Sequence, residues 1–160
     1  MAADLLGDGN VKVTFLTTLS SISNPTATQL NAGVDLQTVL TKEGLDISPE
    51  QSAVDNTNLA STSETERGGT TKYTINLTVK RQVASVDDIG YNTLVAGQDG
   101  WLAVRRNLTH TTAYAAAQKV EIYPVQCGVQ KDQPPKLNEP QTFMSQLFNH
   151  TAPDTRATVA

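Results

Sequence analysis

Few side chains in this sequence could do chemistry, and their spacing does not suit it. His110 and His150 lie in Thr- and Asn-rich stretches, and neither has the His-x-x-x-His or Glu-x-x-x-His spacing that would bring two metal ligands onto one helix face. Both read as solvated loop residues. Asp87 and Asp88 are adjacent carboxylates, but neighbours on a helix point in different directions. Ser85, three residues before Asp88, has the spacing of a capping box, so the pair reads as a helix start. Cys127 is the single cysteine, and without a cation within three positions to lower its pKa it reads as a structural thiol. Gly7-Asp8-Gly9, Gly68-Gly69 and Gly97-Gln98-Asp99-Gly100 are turn material, lacking the strand before and helix after that a phosphate loop needs. Arg105-Arg106 near Trp101 is one basic pair in a chain of net charge -4, too small a footprint for duplex binding, and reads as a surface pair on a strand. The expectation is therefore no enzyme, no catalytic residue, no cofactor and no metal.

With catalysis set aside, composition bounds the rest. The chain of 160 residues is sized for one domain, and its 38% hydrophobic content is below the usual level of about 45–50%. Threonine and serine fill the deficit, with 22 and 9 copies, and threonine suits sheets with wet outer faces because its branched side chain packs on a pleat while the hydroxyl stays hydrated. A mainly β domain follows. No run approaches the roughly 18 apolar residues needed to cross a bilayer. Met1 to Asn10 carries two acids and no base, which reads as neither signal peptide nor membrane anchor. The Asn-x-Thr triplets at Asn76, Asn107 and Asn149 read as chance matches.

Strand signals recur along the chain. Tyr73, Ile75, Leu77 and Val79 alternate strictly with polar residues from Thr71 to Arg81, the period of two that puts one face inward. Val11 to Leu19 alternates likewise, and Val34 to Leu40, Thr41 to Gly44 and Leu45 to Ile47 read as a strand, a turn and a returning strand. Gly100 to Arg106, Gln118 to Cys127 and Gln141 to Asn149 add three more, with Pro134-Pro135 as a breaker. About seven short strands predict a β-sandwich or barrel. One flanking helix is expected from Ser85 to Gly97, with a short helical turn at Pro25 to Asn31.

Charge is unevenly distributed. Lys42 to Thr70 holds Glu43, Asp46, Glu50, Asp55, Glu64 and Glu66 against Lys42 and Arg67, and so carries the whole net charge of -4. From Ser48 to Gly69 the segment has no aromatic residue and too little apolar area to offset an ordering entropy of about 1–2 kcal/mol per residue. The reading is a long mobile loop at 42–70 in a domain of residues 1–150, followed by a carboxy-terminal tail at 151–160. Loops of that length in compact domains are usually functional. A β-rich, catalytically empty domain with a long acidic loop reads as a building block whose edges neighbours complete.

The order of features resembles the major tail tube proteins of long-tailed, non-contractile bacteriophages. The resemblance is carried by the amino-terminal strand, Thr28–Leu36 (TQLNAGVDL), Val54–Ala60 (VDNTNLA), Glu66–Gly69 (ERGG), Gly100–Arg106 (GWLAVRR), Val120–Gly128 (VEIYPVQCG), Pro134-Pro135 and Asn138-Glu139. It implies a β-sandwich flanked by a helix, hexameric rings stacked into a hollow tube, and passage of the genome through that tube into the host. It further implies partners: more copies of the chain, tape measure, tail terminator and distal tail proteins, and double-stranded DNA in transit without sequence preference. No membrane insertion is expected, and the implied location is the virion tail after synthesis in the host bacterial cytoplasm. Mapped onto this chain, Glu43, Asp46, Glu50, Asp55, Glu64, Glu66 and Arg67 belong to an inter-ring stacking arm, with the tail a second connector. Other readings stay open: a small β-sandwich binding module for a host surface or a capsid, a tail terminator or neck ring, and, with least support, a small hydrolase.

Overall fold

A computed structural model describes residues 2–160. Eight strands and two short helices follow one another as β1 (Lys12–Leu16), α1 (Ala27–Asn31), β2 (Val34–Asp35), β3 (Leu40–Asp55), β4 (Glu66–Lys80), α2 (Ile89–Thr93), β5 (Asp99–Arg105), β6 (Lys119–Asp132), β7 (Thr142–Asn149) and β8 (Asp154–Thr158). The mainly β reading holds. All eight lie in one antiparallel sheet ordered β2-β1-β5-β6-β7-β4-β3, with β8 also on β6.

Alternation puts Val13 and Phe15 of β1, Leu102 and Val104 of β5, Tyr123, Val125 and Cys127 of β6, Phe143 and Leu147 of β7 and Ile75, Leu77 and Val79 of β4 into one core. Residues from both ends of the strand order meet there, so the sheet is curled round its own concave face as an open barrel. The segment between β2 and β3 spans the opening: Leu36 donates its N–H to the Val13 carbonyl (2.8 Å) and Lys80 donates to the Val39 carbonyl (2.8 Å). Val34 to Leu40 is thus no long strand, and residues 45–47 do not return beside it. Leu40 and Leu45 both pair with β4, opposite Val79 and Leu77, so residues 41–44 form a bulge within one strand. Gly44 permits this, because a Cβ there would strike the Thr78 carbonyl.

The convex face of β1, β5 and β6 carries a second core of Leu16, Leu30, Ala103, Tyr114, Val120, Ile122, Ala157 and Val159. Its last two members come from the predicted tail, which is a strand. Lys119, Val120 and Ile122 of β6 pair with β8, whereas β7 pairs with β6 only from Val125 onward, so β8 fills the edge that β7 leaves open. Thr158 and Ala160 then donate to the Ser23 and Pro25 carbonyls. Residues 151–160 are folded onto their own body.

The helices are shorter than their sequence signals. In α1 the cap is Thr26, whose hydroxyl accepts from the Gln29 N–H, and Leu30 is buried. The expected Ser85–Gly97 helix shrinks to α2, and Asp88 at its start makes no side-chain cap bond. Its carboxylate accepts from Arg81 Nε at 2.7 Å instead. Arg81 also stacks on the Tyr91 ring at 3.7 Å, and Asp88 is the first cause of the raised Arg81 pKa. In a half-buried site a bond between two opposite charges outweighs a carboxylate's bond to an uncharged backbone N–H.

Candidate functional site

Two surfaces stand out, and both begin with β3 and β4. In the body the two strands are zipped by core pairs, Leu45 opposite Leu77 and Ile47 opposite Ile75. That register carries on outward through Glu50 opposite Lys72, Gln51 opposite Thr71, Val54 opposite Arg67 and Asp55 opposite Glu66. β7 pairs with β4 only from Thr74 to Lys80. From Tyr73 to Glu66, β4 therefore has β3 as its sole neighbour, and a two-stranded ribbon leaves the barrel, reaching roughly 25 Å at about 3.4 Å per residue.

This ribbon replaces the mobile loop expected at 42–70, and only residues 56–65 connect the strands. The polar residues that suggested disorder satisfy the backbone locally. Asp55 accepts from the Thr57 N–H (2.8 Å), Asn58 Oδ1 accepts from the Ala60 N–H (3.0 Å), and Thr57 Oγ1 accepts from the Thr65 N–H (3.0 Å). Such Asx-type bonds mimic a backbone turn. The Thr57 bonds also hold the Asp55 carboxyl below its usual pKa. Gly68-Gly69, expected in a turn, lies in a bulge inside β4: Gln51 and Ala53 oppose Thr71 and Gly68, and a Cβ on Gly69 would sit 3.0 Å from the Ser52 carbonyl oxygen.

The predicted arm residues separate into three places. Glu43 is in the bulge at the body end of β3, Asp46 and Glu50 are on the strand, and Asp55, Glu64, Glu66 and Arg67 gather at the tip. Asp55 and Glu66 are directly opposed, an arrangement that destabilises an isolated ribbon. Leu59 at the tip is fully exposed. Composition could not show that tip, because strand pairing assembles it.

The second surface is the outer face of β3, β4 and β7. Register rows across it read Asp46-Asn76-Gln146 and Ser48-Thr74-Phe148, with Thr78 beside Met144, Glu50 beside Lys72 and Lys80 beside Thr142. No residue of these strands joins the second core, so the face is bare. Its two acids are matched by two lysines. Phe148 is an exposed apolar residue on it, and Val129 is another on the neighbouring β6.

At the other end of the ribbon, where β3 begins, lies a cavity of about 650 Å³. Val11, Val13, Leu40 and Leu45 supply its apolar wall, and Lys42, Arg106, His110 and Asp8 its polar rim. Arg106 is paired with Glu121 at 3.0 Å. One wall, the loop after β5, is held by Arg105. That residue was expected at the surface but is fully buried. Its guanidinium donates to the carbonyls of Thr109 (2.9 Å), Thr112 (2.7 Å) and Ala113 (3.2 Å) and to Gln118 Oε1 (3.0 Å). Burial lowers its pKa, as expected for a desolvated cation. The same cluster contains Tyr114, whose hydroxyl bonds to Thr14 at 2.9 Å and whose pKa burial pushes up to about 12.

Of the His, Cys and adjacent Asp residues singled out for chemistry, only His110 reaches this cavity, where it shares the rim with Asp8. His150 is exposed beside Thr151, Cys127 is buried with its thiol pushed up to about 11 by desolvation, and among the described residues no three His, Cys, Asp or Glu side chains could hold a metal ion. No helix of the described residues is long and apolar enough to cross a membrane.

A family model described as "Phage tail tube protein" matches residues 1–160. Among solved structures, the chain is similar to a chain in the cryo-EM structure of the anti-feeding prophage baseplate, 6-fold symmetrised, with a TM-score of 0.54 and 11% identity over 94% of this chain and 95% of that one. At that identity the likeness is one of fold. A search of curated proteins found no match.

Proposed function

The chain belongs to the phage tail tube protein family, and we propose that it is the repeating subunit of the tube itself, six copies closing a ring and rings stacking into a hollow conduit for the genome. One observation carries this reading: the β3–β4 ribbon. A two-stranded hairpin is marginal in water by itself, and this one is exposed on both faces from Glu50 to Asp55 with like charges opposed at its tip. A neighbouring subunit supplies the missing packing. A heterologous contact of this kind, repeated axially, extends without limit, so one sequence suffices for the whole length of a tube.

The bare outer face of β3, β4 and β7 suits the lumen. Duplex DNA carries one negative charge per roughly 1.7 Å, and a wall rich in Lys and Arg would hold it through counterion release. Asp46, Glu50, Lys72 and Lys80 balance one another among neutral Thr, Asn, Ser and Gln, a wall along which DNA slides. This role needs no catalytic group, and it implies partners at the tube's ends and within it, namely tape measure, terminator and distal tail proteins. Location in the virion tail follows from the family; synthesis in the host cytoplasm is part of the proposal.

The test is negative-stain imaging of concentrated purified protein beside a variant in which residues 52–70 are replaced by a short Gly-Ser turn. Hollow rods with six-fold end views are expected from the parent, and rings without rods from the variant. A parent that stays monomeric at high concentration, with or without a tail-tip complex as template, would refute the tube reading.

A further inference from the structure

We propose that the tip of the β3–β4 ribbon docks into the cavity at the opposite end of a second copy of this chain, the copy next along the ribbon's direction. The inference rests on the stacking role above and names its receptor. Geometry comes first. Leu40 lines the cavity and is the register partner of Val79, while the tip is marked by Asp55 opposite Glu66. Val79 and Glu66 are thirteen residues apart on one strand, roughly 40 Å at about 3.4 Å per residue. Tip and cavity are thus the two ends of a single ladder, and a chain cannot fill its own cavity. A copy displaced by about that distance along the same axis brings tip to cavity.

The two ends are also chemically complementary. At the tip are Asp55, Glu64 and Glu66 against one base, Arg67, together with the bare side chain of Leu59. The cavity offers Lys42, Arg106 and His110 against one acid, Asp8, above a wall of Val11, Val13, Leu40 and Leu45. Glu121 partly occupies Arg106. Lys42 makes no ion pair among the described residues and is the free cation at the rim. An apolar residue ringed by acids thus meets an apolar floor ringed by bases, with the anchor desolvated and the charges at the edge setting register. A cation between Asp55 and Glu66 relieves their repulsion, so the ribbon is more ordered in the rod than in the free subunit. Asp55, held anionic by its Thr57 bonds, keeps that charge in mildly acidic solution.

The experiment places cysteines at the two ends of the ladder, Ala60→Cys beside the Leu59 anchor and Thr38→Cys, in a Cys127→Ser background. Thr38 is an exposed residue of the cavity lining. Circular dichroism and rod imaging confirm that the triple variant folds and assembles. Rods are then treated with a mild thiol oxidant and run on a non-reducing gel. A ladder of chain multiples is expected, absent from dispersed subunit treated in the same way. Adding Lys42→Glu should lower the cross-link yield about tenfold, and adding Glu66→Lys as well should restore it. Rods that form but give no ladder would overturn this docking while leaving stacking intact, as would an unchanged yield with Lys42→Glu. If the parent gives no rods, the tube reading fails first and this inference fails with it.

Discussion

Arg105 offers the sharpest quantitative test, because a buried guanidinium with four acceptors and no carboxylate partner stands or falls on hydrogen bonding. Replacing it with Met keeps the stem's packing and removes the charge. Four bonds are lost, three of them to main-chain carbonyls. At a net value of about 1 kcal/mol each, the low end because Thr109, Thr112 and Ala113 are on an exposed loop that water can reach, their removal costs about 4 kcal/mol. Losing the guanidinium over the Tyr114 ring (5.1 Å) adds about 0.5 kcal/mol. Relief from burying a cation returns part of this, leaving about 3 kcal/mol. With a urea slope of about 2 kcal/mol per molar, the unfolding midpoint should fall by about 1.5 M, and Tm by roughly 6–12 °C for a chain of this size. Arg105→Lys should recover less than half, since one ammonium cannot span four acceptors. Proteolytic nicking at residues 107–117 should appear before global unfolding, because this loop is what the guanidinium ties down. A midpoint within about 0.3 M of the parent would refute the reasoning and show that water replaces Arg105 without loss.

Three further outcomes are expected. Burial raises Tyr114 and Tyr123 to about 12; their contribution to stability is fully present below pH of about 10, where the unfolded chain's phenols are still neutral, and is lost as pH rises towards 12, so denaturant midpoints should fall only in that alkaline window, together with tyrosinate absorbance. Cys127, with its thiol raised to about 11, should resist alkylation in the native protein at pH 8 and react at once in urea; fast native modification would contradict its burial. Truncation after Ala152 removes β8 with buried Ala157 and Val159 and should cost at least about 3 kcal/mol, counting one Val, one Ala and several strand bonds, whereas a tail serving only as a connector would leave the urea midpoint unchanged.

The strands that enclose the main core were legible from local pattern. Tyr73, Ile75, Leu77 and Val79 declare β4, and the apolar alternations around Leu102 and Tyr123 declare β5 and β6, because side chains of a half-buried strand repeat every two residues whatever they face. The ribbon was not legible in the same way. Residues 48–69 have a composition of disorder, yet β3 and β4 are already in register at Leu45 opposite Leu77 and Ile47 opposite Ile75, so each further pair closes no new loop and meets only the ordering cost of its own residues. The acidic, aromatic-free composition suggested a mobile loop at 42–70, whereas most of that stretch is a strand ladder with a built tip. The helix signal at Ser85 failed for a different reason: Asp88 had a stronger partner, Arg81, seven residues upstream.

From the residues alone came the class of the molecule. Threonine-rich alternation favours a sheet, the His, Cys and Asp residues match no metal-ligand or catalytic spacing, and the net negative charge is confined to one stretch. Tertiary structure decided which faces are inside. Arg105 follows Leu102, Ala103 and Val104 on a strand that looks half-solvated, because the second core over it comes from Leu30, Tyr114, Val120 and Ala157, residues far apart along the chain. Whether a strand's second face is wet depends on what the rest of the chain lays across it, and no local period encodes that. The tip and the cavity are products of the same kind, each assembled from segments that only strand pairing brings together.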